Sequence, residues 1–179
     1  MSVQRITGRY AKSLIDLALE QNKLERILED VQSFKKVSEN RDFLMMIKSP
    51  IVQASKKLSV VKALFDGKYD ELTMSFLRIL IQKGREAYLP EIADDFIAQY
   101  KSIKHITSVK VTTATPMSAT TITALQRQLE ASPQTDTSVE IETTVDAELI
   151  GGFVLEFDGN IYDSSIAHKL DALKREFKA

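Results

Sequence analysis

The chain has 179 residues, enough for one or two domains, and its 44% hydrophobic and 27% charged residues are typical of a folded globular protein. It has no cysteine, which excludes disulfides and thiolate metal sites, and its two histidines, His105 and His168, lie too far apart in the sequence to favour a zinc site. The net charge of -1 argues against nucleic acid binding, which usually needs a basic excess. No window offers the roughly 20 apolar residues of a membrane span, and no signal peptide precedes the first helix, so we expect a protein of a cytoplasm-like compartment.

The composition of the chain changes near residue 105. Residues 1–105 contain two threonines, whereas the next 39 residues contain eleven, and threonine favours strands over helices because it branches at Cβ. The charge changes as well: residues 1–105 hold 18 Lys and Arg against 14 Asp and Glu, and the remainder holds 6 against 11. We therefore predict two domains, residues 1–105 and 106–179.

The first domain is predicted to be a bundle of six helices joined by short turns. Apolar residues recur at spacings of three and four, as in Leu24, Ile27 and Val31. Asn40 and Asp42 begin a short helix that stops at Ser49-Pro50, because the residue before a proline avoids the helical region. In chain order the helices are ITGRYAKSLIDLALEQ, the segment 24–34, FLMMIK, QASKKLSVVKALF, ELTMSFLRILIQK and the segment 89–100.

The second domain is predicted to be a small α/β unit with a mixed sheet and a terminal helix, which makes the whole chain an α+β protein. ITSVKVTTA and TSVEIETTV alternate apolar and polar residues as half-buried strands do, and a helix beginning at Ser118 lies between them. GGFVLEF and NIYD flank Asp158-Gly159, a strong hairpin signal. Ser164 or Ser165 caps the final helix, whose Ile166, Leu170, Leu173 and Phe177 form one narrow apolar stripe.

None of the polar residues of the second domain assembles a convincing reactive site. Gly151-Gly152 precedes a strand, whereas a phosphate loop needs glycines before a helix N-terminus, so a bulge or a close backbone approach is the better interpretation. Asp158 and Asp163 are more simply a turn residue and a helix-start residue than paired carboxylates. His168 lies off the apolar stripe and is expected in solvent. We expect no catalytic residue, no metal and no cofactor.

Two helices of the first domain carry more apolar surface than one buried face needs. At 100° per residue, the apolar arc of the first helix, from Ile6 to Leu19, spans about 220°, and the arc of the fifth, from Ile79 to Met74, is similarly wide. Either both helices are covered on all sides by their own bundle, or each uses a second face for an apolar partner helix. The residues alone leave both interpretations open.

Several segments together resemble a known family. They are RYAKSL near the start, SPIV followed by Lys56-Lys57, KGREAYLPEI, and VDAELIGGFVLEFDGNIYDSSIAHKL at the end. The last is the most specific, since its order of aspartate, Gly-Gly, strand, turn and Asp-x-Ser-Ile is similar to the family signature. The chain thus resembles, from end to end, the delta subunit of F-type ATP synthases, called the oligomycin-sensitivity-conferring protein in mitochondria. The signature residues are Gly151, Gly152, Asp158, Gly159, Asp163 and Ser165.

The resemblance implies a non-catalytic stator subunit, present once per complex, that links the catalytic head to the b-subunit stalk. In the family the helical domain binds N-terminal helices of the alpha subunits through its first and fifth helices, and the C-terminal domain meets the b subunit. This favours the partner interpretation of the wide arcs, with Tyr10, Phe76 and Ile79 as contact residues by their position in the matching segments. The helical wheel adds Leu14 and Leu80 to these contacts. No room for a transit peptide precedes RYAKSL, so we expect a bacterial protein on the cytoplasmic face of the membrane, held there only through the complex.

Two other classes of protein are alternatives to a stator subunit. A helical bundle joined to an α/β unit also suits an RNA-binding or regulatory adaptor, but no basic, aromatic-rich segment supports RNA binding. A small enzyme would need a polar constellation that the sequence does not show.

Overall fold

The computed structural model describes residues 3–130, 138–157 and 159–177. The chain divides into two compact units, Met1–Tyr100 and Lys101–Ala179. Its described part is mostly helical, with a small four-stranded mixed sheet and a C-terminal helix. This confirms the predicted combination of helices and mixed sheet. The described residues form eight α-helices in all and two short 3₁₀ turns that the sequence analysis did not predict.

Helices α1 to α6 follow one another through the first unit, and side-chain caps mark the beginning of two of them. Asn40 accepts the backbone N–H groups of Asp42 and Phe43 and so caps α3, and Asp70 accepts that of Leu72 and caps α5. A 3₁₀ turn at Glu86–Tyr88 leads into α6, which ends three residues beyond the first unit. The bounds are Val3–Glu20, Leu24–Ser38, Arg41–Lys48, Ala54–Phe65, Glu71–Gln82 and Leu89–Ile103.

The core of the first unit contains a cluster of aromatic rings. The rings of Phe34, Phe43 and Phe65, from three different helices, lie 5.9–6.2 Å apart between centroids, and Tyr69 stacks on Phe65 at 4.4 Å. Such edge-on and offset arrangements are the favoured geometries of aromatic pairs. The cluster fixes α2, α3 and α4 against one another.

Two buried ionic groups join helices across this unit. The Lys57 ammonium group, on α4, donates to Glu86 and to the carbonyl of Ile47 at the end of α3, both at 2.7 Å. The Asp30 carboxylate, on α2, accepts the N–H of Asp70 and the hydroxyl of Thr73, both at 2.8 Å. Since both side chains are about 2% exposed, these partners are what make their burial tolerable.

The second unit is built on a sheet with the strand order β2-β1-β3-β4. β1 (Ile106–Thr113) pairs in parallel with β2 (Ser138–Val145) and antiparallel with β3 (Phe153–Phe157), which pairs antiparallel with β4 (Asn160–Asp163). The parallel pair requires a crossover, and α7 (Ala119–Glu130) lies within it. The small core of this unit consists of Val109, Val111, Val139 and Leu155. Packed against it are Met117, Leu125, Leu129, Ile141 and Phe157.

The predicted hairpin and terminal helix are both present. β3 and β4 pair up to Phe157 and Asn160, and Gly159 between them has a φ of 76°, which suits glycine. Asp158, the other predicted turn residue, lies outside the described residues. α8 spans Ile166–Glu176, and Ser165 rather than Ser164 caps it, because its hydroxyl accepts the N–H of His168 at 3.1 Å.

The helical unit contains its own core, so we expect residues 1–105 to fold alone. The fragment should give a strongly helical circular dichroism spectrum and a single cooperative thermal transition, because two-state melting is usual for a domain of this size. A fragment that remains a disordered coil would contradict the two-domain interpretation.

Candidate functional site

Among the described residues, no three or more acidic or histidine side chains are grouped so as to hold a metal ion. None of the helices in the ranges 3–130, 138–157 and 159–177 is long and apolar enough to cross a membrane. The residues singled out from the sequence lie in the glycine and aspartate signature of the second unit and on the apolar arcs of α1 and α5.

The glycine pair packs against the beginning of α8. The carbonyl of Gly151 accepts the N–H of Ile166 at 2.9 Å. Gly152 has a φ of 80°, and a Cβ added there would lie 2.4 Å from the carbonyl oxygen of Ser164, closer than any real Cβ contact. Both glycines are needed for this close approach of β3 to α8, and neither faces a free helix N-terminus.

Asp163, the last residue of β4, also contacts the beginning of α8. Its Oδ1 accepts the N–H of Ser165 at 2.8 Å, and its Oδ2 lies 3.7 Å from Nδ1 of His168. The hydrogen bond from the Ser165 backbone, then that from the Ser165 side chain and the nearby His168, lower the pKa of Asp163 despite some desolvation. The carboxylate is thus a helix-start group, as the sequence analysis preferred, and the signature residues hold β3, β4 and α8 together.

The predicted contact residues on α1 and α5 fall into two classes. Ile79 is 51% exposed, and Tyr10 and Phe76 are half-buried. Leu14 and Leu80, in contrast, are 2% and 0% exposed, so in the isolated chain they belong to the core of the unit rather than to its surface. An apolar arc on a helical wheel cannot separate these classes, because only packing decides which part of the arc is covered.

Each of the two helices carries a second apolar stripe beside its core face. On α1 the stripe consists of Ile6, Tyr10 and Leu17, and on α5 of Leu72, Phe76 and Ile79; all six side chains are half-buried or exposed. With about 100° per residue, both stripes lie roughly 100° around their helix from the middle of the core face. Leu17 and Leu72 were not among the predicted contacts, although both were inside the wide arcs.

Two placements indicate that α1 and α5 run in opposite directions, because the end of α1 lies at the start of α5 and the central residues of both helices line one cavity. Lys23, just after α1, forms an ion pair of 2.9 Å with Asp70, just before α5, so the end of α1 lies at the start of α5. Leu14 and Phe76 line one internal apolar cavity. We call the surface bordered by the two stripes the α1/α5 groove.

The second unit exposes an apolar surface of its own on α8. The stripe predicted from the sequence, Ile166, Leu170 and Leu173, is nearly half exposed, and Phe177 is 88% exposed. On β4, the strand before α8 in the chain, Ile161 and Tyr162 are also exposed. Exposed apolar surface on a folded unit commonly marks contacts with other chains. The sequence analysis described this stripe but did not assign it to a partner.

Comparison with known proteins matches the whole chain to one family. The family model described as ATP synthase delta (OSCP) subunit matches residues 6–177. The ATP synthase subunit delta of Cytophaga hutchinsonii is 40% identical over 180 aligned positions, covering 99% of this chain and 96% of the relative. That of Salinibacter ruber is 33% identical, covering 97% and 90%. Among solved structures, a chain of the Toxoplasma gondii mitochondrial ATP synthase hexamer is similar with a TM-score of 0.73 and 26% identity, covering 97% of each chain.

The contact between Gly152 and Ser164 predicts unequal effects of two alanine substitutions. Gly152→Ala adds a Cβ where the backbone of Ser164 already lies, so we expect a loss of more than ~3 kcal/mol in the stability of the second unit. Gly159→Ala is the matched control: its φ of 76° is similar, but no atom lies within 4 Å of the added Cβ, and a loss of about 1 kcal/mol is expected. Hydrogen exchange of the α8 amides measures both; equal protection in the two variants would contradict the assigned role of the glycine pair.

Proposed function

Because the chain belongs to the ATP synthase delta (OSCP) subunit family, we propose that it links the catalytic head of an F-type ATP synthase to the stalk that holds the head still. The family places the chain in the peripheral stalk as a non-catalytic subunit. We propose further that its six N-terminal helices form the bundle that binds the alpha subunits and that its C-terminal unit binds the b subunit. One copy would serve each complex, on the cytoplasmic face of the membrane.

The observation that carries the alpha-subunit proposal is the second apolar stripe on α1 and α5. A helix that buries one face normally shows one stripe, with polar residues opposite. Here Tyr10, Phe76 and Ile79 remain accessible next to a complete core. An amphipathic helix laid into the α1/α5 groove would cover them in the helix-in-groove mode of recognition. The buried Leu14 and Leu80 then form part of the core beneath the groove.

The chemistry of such a contact suits a stator. Rotor torque must be resisted by contacts that dissociate slowly, and differences in dissociation rate account for most affinity differences between related interfaces. Apolar burial contributes roughly 25 cal/mol per Å² before the entropic costs of association. A groove with a rigid floor lowers those costs, since the unit need not reorganise when the helix binds. No reactive group is required.

The exposed stripe of α8 supports the proposal for the second unit. Leu170, Leu173 and Phe177 lie on one side of α8 and are uncovered in the isolated chain. A helical end of the b subunit is a suitable partner, because an apolar stripe at helical spacing packs well against another helix. The two proposed surfaces belong to different units, so one chain can hold two partners.

The RNA-binding alternative has no support from family membership, and the described residues show no arrangement that favours it. The predicted groove residues are apolar, whereas single-stranded nucleic acid is bound by cationic grooves with aromatic platforms.

The substitution Ile79→Asp tests the α1/α5 groove. Because Ile79 is about half exposed, the variant should fold, with a melting temperature within a few degrees of the wild type. Its binding to an ATP synthase head stripped of this subunit should weaken by more than ~2 kcal/mol, about thirtyfold, because a carboxylate would be desolvated against an apolar helix. Calorimetric melting and titration with the stripped head give both values.

Two further variants serve as controls for Ile79→Asp. Met45→Asp, on α3, introduces the same charge at an exposed apolar position of a helix that packs mainly against α2 and the turn Glu86–Tyr88, and should bind the head normally. Leu80→Asp charges a fully buried position and should unfold the unit. Normal melting together with normal head binding of Ile79→Asp would refute the groove assignment.

The substitution Leu173→Asp tests the b-subunit surface. We expect the soluble part of the b subunit to bind this variant at least tenfold more weakly, because the exposed stripe of α8 would carry an unpaired carboxylate. Thr143→Asp, an exposed position on β2, is the control and should bind as the wild type does. Undiminished capture of the b subunit by Leu173→Asp would exclude α8 as its contact.

A further inference from the structure

The α1/α5 groove has unlike charges at its two ends. Measured from the neighbouring Leu14 and Phe76, Arg9 lies about 7 Å back along α1, and Lys83 lies about 10 Å forward along α5. Because the two helices are antiparallel, these displacements point the same way. The two exposed cations therefore lie at one end of the groove, which we call the cationic end.

Carboxylates occupy the opposite end. Glu20 lies about 9 Å from Leu14 towards the end of α1, and Glu71 lies about 7 Å from Phe76 towards the start of α5, which again is a common direction. Both side chains are exposed, and we call this end of the groove the anionic end. Lys23 is also at this end, but its charge is offset by the ion pair with Asp70.

The four groove charges are available to a partner. Within residues 3–130, 138–157 and 159–177, neither Arg9, Lys83, Glu20 nor Glu71 takes part in an ion pair, whereas Arg26 nearby pairs with Glu29 and Asp30. Arg9 and Glu20 lie on the outer side of the α1 stripe, within about 80° of its centre, so they border the groove. Along the helix axes, Arg9 and Glu20 are about 16 Å apart and Lys83 and Glu71 about 18 Å apart, which fits three turns of a bound helix.

We propose that this polarity fixes the direction in which an amphipathic helix lies in the groove. The acidic end of the bound helix lies between Arg9 and Lys83, and its basic end lies between Glu20 and Glu71. The inference rests on the proposed function, because it takes the alpha-subunit helix as the occupant and adds the charge order that this helix must carry. The apolar stripes set how tightly the helix binds, and the charged ends set its orientation.

The size of the effect follows from the exposure of the four charges. Each exposed ion pair contributes little by itself, but turning the helix around replaces all the attractive pairs by repulsive ones. We expect a preference of about tenfold for the matched orientation at low salt. Because exposed charges are screened within about 8 Å at physiological ionic strength, the preference should decrease as salt is added.

The experiment uses the full chain, which contains no cysteine and no tryptophan. Gln82→Cys places a single thiol at the cationic end and Gln21→Cys places one at the anionic end; both glutamines are exposed and neutral. Each thiol carries a bimane fluorophore, which tryptophan quenches only at short range. The probes are two designed helical peptides of about 14 residues with the same apolar stripe. One has glutamates in its N-terminal half and lysines in its C-terminal half, and the other has the reverse order, with a tryptophan at the acidic end of each.

If charge sets the orientation, both peptides quench the fluorophore at residue 82 more strongly than that at residue 21, whichever end of the peptide is acidic. In the fourfold variant R9E/K83E/E20K/E71K the stronger quenching should move to residue 21. The control K36E/K62E/E39K/D66K reverses four exposed charges outside the groove and should leave the pattern unchanged. Adding salt should reduce the difference between the two positions.

Two results would overturn the inference. If the same terminus of both peptides lies beside residue 82, the direction of the chain rather than its charge sets the orientation, and the groove survives without this property. If neither peptide quenches either fluorophore, the groove does not bind such helices. The first result leaves the effect of Ile79→Asp on head binding intact, so failure of the polarity can be distinguished from failure of the proposed function.

Discussion

The helical unit depends on one buried carboxylate, that of Asp30. It accepts the N–H of Asp70 and the hydroxyl of Thr73, and it lies 3.3 Å from the guanidinium group of Arg26. These bonds fasten the first turn of α5 to α2. An ionised group at this depth is costly unless it is fully paired, and breaking such a pair is strongly destabilising. Together with the ion pair between Lys23 and Asp70, this attachment fixes the start of α5, and with it one wall of the α1/α5 groove, before any partner arrives.

The attachment matters because α5 cannot rely on apolar burial alone. Leu77, Leu80 and Ile81 are buried in the core, while Leu72 and Ile79 on the neighbouring side remain accessible. A helix that withholds part of its apolar surface from the core is held less firmly by packing. Polar anchors at the helix start offset that loss. The hydrogen bond from the Leu72 N–H, followed by that from Lys23, lowers the pKa of Asp70, which is the physical signature of a carboxylate held in its charged form as a cap.

Most of the secondary structure could be predicted from periodicity and turn residues, because helices and strands produce local patterns in the sequence. The sequence indicated the groove only through the apolar arcs of α1 and α5, which are wider than one buried helix face needs. That Leu14 is buried and Ile79 is exposed depends on which neighbours cover each side, and those neighbours come from distant segments. The pairings of Lys57 with Glu86 and of Asp30 with Asp70 and Thr73 were missed for the same reason: these partners lie 29 to 43 residues away, and a lone charge on an apolar helix face carries no sign of its partner.

The signature residues that most resemble the family are not the residues proposed to bind partners. Gly152, Asp163 and Ser165 are used within the second unit, where they allow close packing and cap α8. Such positions tolerate few residue types, because a Cβ or a lost acceptor has an immediate steric or electrostatic cost. A groove lined by apolar side chains accepts many combinations of similar size, so it leaves a weaker pattern in any one sequence. The resemblance was therefore most specific in residues that hold the fold together, whereas the proposed binding surfaces follow from where apolar side chains remain uncovered.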